Sequence, residues 1–557
     1  MEHSKLYSSN KIIEKDDGFI FALQLSQDDP FFEKKKNLLH NKGFDIKEQV
    51  HLQGSSCPDS VATTLEKILQ IARITHLDEV EIYFGENDEC SSMEYFSPRN
   101  EVEALSSALS LVNEMLSSKK NKELGVLLEL RDAVLSRIED SVENYRLETR
   151  IESSCSCDRE NDLVEWGQRN GVKSRLEIVY IEGAGRGAIV TEDLKVGDIA
   201  LEIPVSIIIS EELVRPCDMY HILEKIDGIS SETMLLLWSM KERHNCNSKF
   251  KIYFDTLPKE FNTGLSFGVD AIMALEGTLL LEEILQAKEH LRVQYDELVP
   301  ALYNNYPDIF PPELYTWEHF LWACELWYSN SMKVKFLDGK LRTCLIPIAG
   351  FLNHSVHPHI THYGKVDYKM NTLKFPLSKP CRIGEQCCLS YGNLSSSHLV
   401  TFYGFIPQGD NPYDVIPLDI DAGEADSTED CSSTPQMIRG TWLSKNHSIF
   451  YYGLPIPLLN FLRRARVPTP YVKTMTESNL EIEIEILEDL QSTFSNMMEN
   501  LGDVDLVDSR ENINRDVKLA LEFKDLQRRI VSSILTSCDV GLKLVQKELL
   551  KCSTTKE

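Results

Sequence analysis

Two short polar segments interrupt an otherwise apolar stretch of the chain at residues 345–405. The first is Asn-His-Ser-Val at residues 353–356, and the second is Leu-Ser-Tyr-Gly at residues 389–392. An amide beside an imidazole can bind a purine edge or a charged amino-acid group, and a tyrosine hydroxyl can orient a nucleophile or act as a weak acid or base. These residue types fit a site that binds a polar ligand, but a turn that satisfies its own side chains uses the same types.

Aromatic residues accompany the second segment. Tyr391 follows an apolar run and precedes a Gly-Asn turn, so we expect its hydroxyl at the end of a strand. Tyr403 and Phe405 follow within the sequence Thr-Phe-Tyr-Gly-Phe. Tyrosines at strand ends more often serve packing than catalysis, and grouped aromatic residues more often form core than pocket. The pattern alone leaves both roles open.

Four histidines offer a different chemistry, because imidazoles close in sequence can bind zinc or iron. They are His354, His357, His359 and His362. Pro358 breaks any regular spacing between them, and no carboxylate lies within the group to complete a ligand set. We therefore predict no metal at this segment, and a histidine metalloprotein is kept only as an alternative.

A glycine-rich loop, Gly-Ala-Gly-Arg-Gly, occupies residues 183–187. The phosphate-binding loops of dinucleotide and P-loop proteins open a helix whose N-terminus holds the phosphate. Here a second β-prone segment follows, and no Gly-Lys-Ser/Thr sequence occurs. Two interpretations remain: a tight β-hairpin, or a loop whose backbone amides can approach a ligand because glycine lacks a Cβ.

The hydrophobic pattern predicts the elements that must position these residues. It indicates strands at residues 173–210, helices from 211 to about 330, and strands again at 332–388. After residue 411 the pattern is helical, with a buried stripe at residues 519–534. For residues 1–155 the pattern predicts an accessory region made mostly of helices, with a strand at 79–84 and a packed helix at 124–145. This region is either a structural extension or a partner-binding module.

Composition narrows the classes of partner. The chain has 557 residues, 42% of them hydrophobic, and a formal charge of −29. Such an acidic chain offers phosphates no general attraction, so we expect no nucleic-acid partner. No apolar run reaches the roughly 18 residues of a membrane span, so no membrane partner is expected. The 14 cysteines include no Cys-x-x-Cys pair and sit mostly beside apolar residues, as reduced core thiols do. We expect a soluble protein that is cytoplasmic, nuclear or both.

The order of these features resembles that of the SET-domain methyltransferases. A Gly-x-Gly hairpin precedes a long helical insertion, then the Asn-His segment, then Gly-Glu-Gln at 384–386, Ser-Tyr-Gly at 390–392 and Tyr-Gly-Phe at 403–405. The sequence is more closely similar to the subgroup that includes the RuBisCO large-subunit lysine methyltransferase and the actin histidine methyltransferase. Further matches lie at residues 253–258, 275–279 and 322–323. The resemblance covers about residue 162 to the C-terminus.

The resemblance implies an α+β fold with small twisted sheets and a threaded C-terminal segment. It implies a SET domain at residues 162–408 with its helical insertion at about 211–330, and an all-helical domain similar to the substrate-binding domain of that subgroup at 411–557. Residues 1–155 are left as an accessory α/β extension. The oligomeric state stays undetermined.

The resemblance also implies an activity and a set of site residues. The cofactor is S-adenosylmethionine, and the reaction is methylation of a lysine on a non-histone protein. Residues expected to contact the cofactor are Gly185, Arg186 and Gly187, through their backbone, with Asn353 and His354. Tyr391 is the expected catalytic residue, and Tyr403 with Phe405 would wall the channel for the acceptor side chain. No residue decides between a lysine and a histidine acceptor.

Two positions depart from the family pattern. Gly350 stands where the family usually has aspartate, and Asn330 stands where many members have arginine. The second change removes a cation that is expected near the cofactor carboxylate. A catalytically degenerate scaffold that only binds protein partners is therefore the alternative to an enzyme.

Overall fold

The computed structural model describes residues 18–53, 58–85, 97–118, 124–143, 148–152, 154–420, 435–467, 471–502 and 513–554. Within these ranges the chain is a mixture of helices and small sheets. No helix in the described ranges is apolar over a length that could cross a membrane. The mixed α+β class predicted from the sequence is confirmed.

The N-terminal module comprises two strands and five helices with a hydrophobic core of their own. Strands β1 and β2 pair in antiparallel fashion, and helix α2 packs on both of them and on α4 and α5. The elements are β1 (Gly18–Gln24), α1 (Phe32–Asn41), β2 (Lys47–Gln53), α2 (Pro58–Thr75), α3 (Glu79–Gly85), α4 (Pro98–Ser118) and α5 (Leu124–Glu143).

One prediction in this module was wrong. The segment predicted as a strand at residues 79–84 is helix α3. Asp78 Oδ1 accepts the N–H of Glu81 at 2.8 Å, and Glu81 Oε2 accepts the N–H of Asp78 at 3.0 Å. This reciprocal pair is a capping box, which satisfies two free donors at a helix N-terminus and so favours helix over strand.

The central region begins with helix α6 (Asp158–Arg169) and four strands that follow the predicted β segment closely. Strands β4 and β5 form the hairpin expected around the glycine-rich loop. Strands β3 and β6 join two later strands in a four-stranded sheet of order β3-β6-β10-β9. The strands are β3 (Lys173–Ser174), β4 (Leu176–Ile181), β5 (Gly185–Val190), β6 (Ile199–Pro204), β7 (Ser331–Lys335), β8 (Leu341–Leu345), β9 (Val366–Asp367) and β10 (Thr372–Pro376).

Helices separate the two groups of strands, as the change in hydrophobic period predicts. Their apolar faces join the strands in one large core. Helix α12 begins at Trp317, where Thr316 caps it by accepting the N–H of His319. The helices are α7 (Tyr220–Leu223), α8 (Ser231–Glu242), α9 (Lys251–Thr256), α10 (Val269–Ala274), α11 (Leu279–Asn305), α12 (Trp317–Asn330) and, after the strands, α13 (Ser396–Tyr403).

The C-terminal module adds a pair of strands to the predicted helices. Strands β11 and β12 pair in antiparallel fashion, helix α14 packs against β12, and the two last helices form a long hairpin. Helix α15 includes residues 480–486, whose apolar residues alternate as they would in a strand although the segment is helical. The elements are β11 (Val415–Leu418), β12 (Gln436–Arg439), α14 (Ile456–Arg466), α15 (Glu477–Asn500) and α16 (Arg515–Thr554).

Candidate active site

A threaded segment brings the two polar segments together. Residues 386–390 run between the two ends of a loop at 353–361. On one side the N–H of Leu389 donates to the carbonyl of Asn353 at 2.9 Å, and on the other the N–H of His359 donates to the carbonyl of Cys388, also at 2.9 Å. These bonds fix Tyr391, which follows directly, beside the Asn-His segment from which it is separated by more than thirty residues of sequence.

His354 is held as a neutral imidazole by its surroundings. Its Nδ1 accepts the N–H of Tyr391 at 3.1 Å, so the ring proton lies on Nε2. Burial lowers the pKa of His354 to about 4, because the charged form loses its hydration. At neutral pH this residue therefore positions the backbone of Tyr391 and presents an N–H donor at its other nitrogen.

The Tyr391 hydroxyl donates to the carbonyl oxygen of Leu352 at 3.1 Å. Burial is the largest cause that holds its pKa well above the ordinary value, and the nearby Tyr403 raises it further. The hydroxyl therefore stays protonated at neutral pH, so it can orient a polar group but is a poor general base.

The aromatic side chains proposed as channel walls surround Tyr391. Its ring stacks on that of Tyr403 with centroids 5.1 Å apart, and Phe405 meets it edge-on at 6.4 Å. The imidazole of His354 lies 5.2 Å from the Tyr391 ring. An enclosure of this kind disfavours a charged amine unless the charge faces a ring, and it excludes water from the reacting groups.

Tyr363 belongs to the same group and was missed by the sequence interpretation. Its hydroxyl donates to the carbonyl of Ser390 at 2.8 Å, one residue before Tyr391, and its ring stacks on Phe375 at 5.6 Å. Its aromatic type was the only local signal, because the threading that brings it here is non-local.

The glycine-rich loop lies against Asn353, more than 160 residues away in sequence. The Asn353 amide donates from Nδ2 to the carbonyl of Arg186 at 3.0 Å. A Cβ added at Gly187 would lie 2.9 Å from that same Nδ2 and 2.6 Å from Cδ1 of Ile181. A side chain at this position would push the Asn353 amide and its neighbours aside, so glycine lets the loop backbone pack directly against Asn353.

The side chain of Arg186 has other partners. Its Nη1 donates to Glu160 Oε1 at 2.9 Å and to the carbonyl of Thr256, and its guanidinium lies 5.2 Å from the ring centroid of Phe351. The guanidinium therefore joins helix α6, helix α9 and the loop before Asn353. What residue 186 can offer a ligand is its backbone, as the sequence interpretation assumed.

The two departures from the family pattern lie side by side. A Cβ added at Gly350 would lie 3.4 Å from Oδ1 of Asn330, which ends helix α12. An aspartate and an arginine at these two positions would face each other. Because both charges are missing here, neither position leaves an unpaired charge in the fold.

The four histidines do not converge on one point. Among the described residues, the one group whose side chains could share a metal is His359, Cys381 and Cys387, with ligand atoms within 4.8 Å of one another. The Nδ1 of His359 accepts the N–H of Cys388 at 3.2 Å, so that lone pair is engaged and the ring proton lies on Nε2. A hydrogen bond to Cys381 and burial raise the pKa of Cys387, which disfavours the thiolate that a metal needs.

The structure thus brings together every site residue named from the sequence. The backbone of residues 185–187 meets Asn353, and His354 joins it to Tyr391, Tyr403 and Phe405. Their assigned roles stay predictions.

Comparison with known proteins gives this arrangement a context. A family model described as Rubisco LSMT substrate-binding matches residues 26–148, which lie within the N-terminal region that the sequence left without a counterpart. The actin-histidine N-methyltransferase of Homo sapiens is 24% identical over 332 residues, which are 58% of this chain and 53% of that protein. The chloroplastic ribulose-1,5-bisphosphate carboxylase/oxygenase large subunit N-methyltransferase of Pisum sativum is 25% identical over 316 residues, 54% of this chain and 62% of that protein. The chain thus spans about half the length of the actin-histidine relatives it matches.

Two solved structures show the same fold. The SET domain of LSMT bound to lysine and AdoHcy has a TM-score of 0.53 and 17% identity, covering 70% of this chain and 93% of that chain. Rubisco LSMT bound to AdoMet has a TM-score of 0.52 and 18% identity, with the same coverage. The comparisons confirm the resemblance that the sequence motifs indicated, and this chain has the SET-domain fold of Rubisco LSMT.

Proposed function

We propose that this protein transfers a methyl group from S-adenosylmethionine to a lysine side chain of a non-histone protein. One observation carries the proposal: the threaded segment joins a backbone cradle at Gly187 and Asn353 to an aromatic enclosure around Tyr391. The likeness to Rubisco LSMT bound to AdoMet, and to methyltransferases of actin and of ribulose bisphosphate carboxylase, supports methyl transfer to a protein, and the choice of lysine over histidine is part of the proposal.

The residues present fit this cofactor. The loop backbone is open at Gly185, where an added Cβ would meet no described atom within 4 Å, so a ligand can approach it there. His354 presents a neutral N–H at Nε2, suited to a carboxylate or a purine nitrogen. Asn353, His354 and the backbone of residues 185–187 would hold the cofactor, which when bound supplies a methyl group on a positively charged sulfur.

The reaction depends more on the alignment of the methyl donor with the acceptor nitrogen than on acid–base groups. The acceptor nitrogen uses its lone pair to form a bond to the methyl carbon while the bond from that carbon to sulfur breaks in line. A lysine must first lose its proton to solvent, which at pH 7 costs roughly 4.6 kcal/mol from its ordinary pKa of about 10.4. The enclosure formed by Tyr391, Tyr403 and Phe405 lowers that cost because it keeps water from the amine, and the ammonium form loses more from the lost hydration than the neutral form does. The Tyr391 hydroxyl then orients the neutral amine.

The proposal is tested by changing Tyr391 to Phe. We expect isothermal titration to show one cofactor site of unchanged affinity in this variant, and the rate of methyl transfer to fall roughly 100-fold, as expected when a reacting group is misplaced by about 1 Å. Substrates are found by mass spectrometry of a proteome incubated with wild type and variant. Tyr368→Phe is the matched control, since Tyr368 is 74% exposed. A wild-type protein that fails to bind cofactor at millimolar concentration would overturn the proposal.

The pH dependence of the rate distinguishes lysine from histidine as acceptor. The rate with a lysine acceptor rises with pH through about 9, because the neutral amine becomes more abundant up to its pKa near 10.4. A histidine acceptor, with a pKa near 6.5, gives a rate that levels off above about pH 7. We propose the first profile.

A non-catalytic scaffold is the second candidate, favoured by the paired loss of charge at Gly350 and Asn330. It predicts protein partners that are captured by the folded chain but are not methylated with labelled cofactor. The titration above separates the candidates, because the scaffold has no need of the cofactor site.

A further inference from the structure

The chain contains the same arrangement of elements twice. In the N-terminal module an antiparallel strand pair, β1 and β2, precedes helix α2 and a helical hairpin, α4 with α5. In the C-terminal module the pair β11 and β12 precedes helix α14 and the hairpin α15 with α16. Helix α2 packs on both strands of its pair and on both helices of its hairpin, helix α14 packs on β12 and α15, and each module has its own core.

The N-terminal module also has helix α1 between its two strands, and the two modules differ in the connection between the helix after the strands and the hairpin. In the N-terminal module this connection carries helix α3, and its residues dock on the rest of the molecule. The Tyr83 hydroxyl donates to Gln436 Oε1 at 3.1 Å and accepts the N–H of Met437 at 3.0 Å. The guanidinium of Arg439 lies 4.0 Å from the ring centroid of Phe84. Helix α3 thus fixes one module against strand β12 of the other.

Asp78 extends this contact to the candidate active site. Its Oδ1 caps helix α3, and its Oδ2 accepts Nδ2 of Asn393 at 2.7 Å and the hydroxyl of Tyr413 at 2.8 Å. Arg99 lies 3.5 Å from the same oxygen and balances its charge. Asn393 is two residues beyond Tyr391, so at most about 7 Å of chain separates the two residues along the backbone.

A second contact reaches the residue before Tyr391. Glu103 of helix α4 lies 3.5 Å from Nε2 of His362. His362 precedes Tyr363, whose hydroxyl donates to the carbonyl of Ser390 at 2.8 Å. The N-terminal module therefore holds the Tyr391 segment from both sides, through Asn393 and through Tyr363.

We infer that the N-terminal module is a fixed part of the active site, and that Asp78 is a positioning residue for the loop that carries Tyr391. The expected effect on catalysis rests on the proposed function. The hydrogen bonds from Asp78 to the loop that carries Tyr391, called the tether below, do not. One oxygen of the Asp78 carboxylate binds its own helix, and the other binds two side chains outside the module. Asp78 therefore holds the loop at a fixed position relative to the N-terminal module.

Asp78→Asn separates the tether from the cap. Asparagine caps a helix as well as aspartate does, so α3 keeps its N-terminus. The new amide nitrogen, however, faces the donor Nδ2 of Asn393, so the present charge-assisted bond is lost, and a turned Asn393 amide would replace it only with a weaker bond between neutral groups. Tyr413→Phe is the matched control, because it removes the other partner of Oδ2 and leaves Asn393 bonded. Asn393→Ser breaks the tether from the opposite side and decides the test if Asp78→Asn does not fold.

Hydrogen–deuterium exchange, read by mass spectrometry on peptides that contain residues 389–395, measures the tether directly. We expect the Tyr391 amide to exchange about tenfold faster in Asp78→Asn and Asn393→Ser and at the wild-type rate in Tyr413→Phe. Unchanged exchange in a folded Asp78→Asn protein would overturn the inference, whatever the protein's activity. If the wild type methylates a substrate, kcat should fall about tenfold in Asp78→Asn with cofactor affinity unchanged, because displaced reacting groups lose rate. Loss of cofactor affinity together with kcat would show general disruption of the fold and also overturn it.

Discussion

Asn353 illustrates how much of the candidate site depends on single atoms. Its side-chain amide is committed to the carbonyl of Arg186, and its backbone carbonyl accepts the N–H of Leu389. One residue thereby connects the glycine-rich loop to the threaded segment. The contact works only because Gly187 has no side chain to displace the amide.

Changing Gly187 to Ala tests this contact. The new Cβ would lie 2.6 Å from Ile181 Cδ1, 2.9 Å from Asn353 Nδ2 and 3.0 Å from Gln386 Nε2, distances that require all three side chains to move. We expect cofactor affinity, measured by isothermal titration, to fall at least about tenfold, a cost of roughly 1.4 kcal/mol.

Gly125→Ala is the matched control. Gly125 lies in helix α5, and no atom lies within 4 Å of the added Cβ, so alanine should stabilise the helix by about 0.5–1 kcal/mol and leave cofactor affinity unchanged. If Gly187→Ala bound the cofactor as the wild type does, the loop backbone would not form the cofactor site.

Short-range patterns predicted most elements but not their contacts. The hairpin at residues 183–187 and the helices of the insertion follow from local glycine content and hydrophobic period. Helix α3 was missed because six alternating residues fit a strand as well as a helix, although Asp78 and Glu81 carried the spacing of a capping box. The meeting of Tyr391 with His354 depends on threading, which no local pattern encodes. The motif order supplied it only through resemblance.

At the scale of elements, a buried ion pair joins two helices of the C-terminal module. Arg463 of α14 donates from Nε and Nη2 to the two carboxylate oxygens of Glu483 in α15 at 2.7 and 2.9 Å. The two side chains are only 1% and 0% exposed. The Tyr471 hydroxyl and the carbonyl of Phe450 complete the network.

Glu483→Gln should destabilise the protein by about 3–5 kcal/mol, because it leaves the Arg463 guanidinium buried without a countercharge. Urea unfolding measures the change. Asp489→Asn is the control: Asp489 pairs with Arg466 on the same two helices but is 68% exposed, so its loss should cost less than about 1 kcal/mol. Equal effects of the two substitutions would contradict the assigned importance of burial.

For the molecule as a whole, the histidines of the loop at residues 353–361 determine how the free energy of unfolding responds to acid. Burial lowers the pKa of His354 and His357 to about 4 and that of His359 to about 3, and Lys379 lowers the last two further. Burial acts in the opposite direction on two carboxyl groups, raising the pKa of Asp414 to about 6 and of Glu325 to about 7. The three imidazoles lie together in the loop at residues 353–361, through which the threaded segment passes.

The sign follows from proton binding. Below about pH 6.5 the unfolded chain protonates its histidines while the folded chain keeps these imidazoles neutral, so the free energy of unfolding falls as the pH drops from about 6.5 towards 4. Each imidazole contributes up to about 2 kcal/mol of loss between pH 7 and about 5. His359→Gln keeps an acceptor for the N–H of Cys388 but does not titrate, so urea unfolding of this variant should lose less stability over that range than the wild type. His221→Gln, at a side chain that is 76% exposed, should behave as the wild type. If the wild type, His359→Gln and His221→Gln all lost the same stability between pH 7 and about 5, the loss would originate outside the loop at residues 353–361.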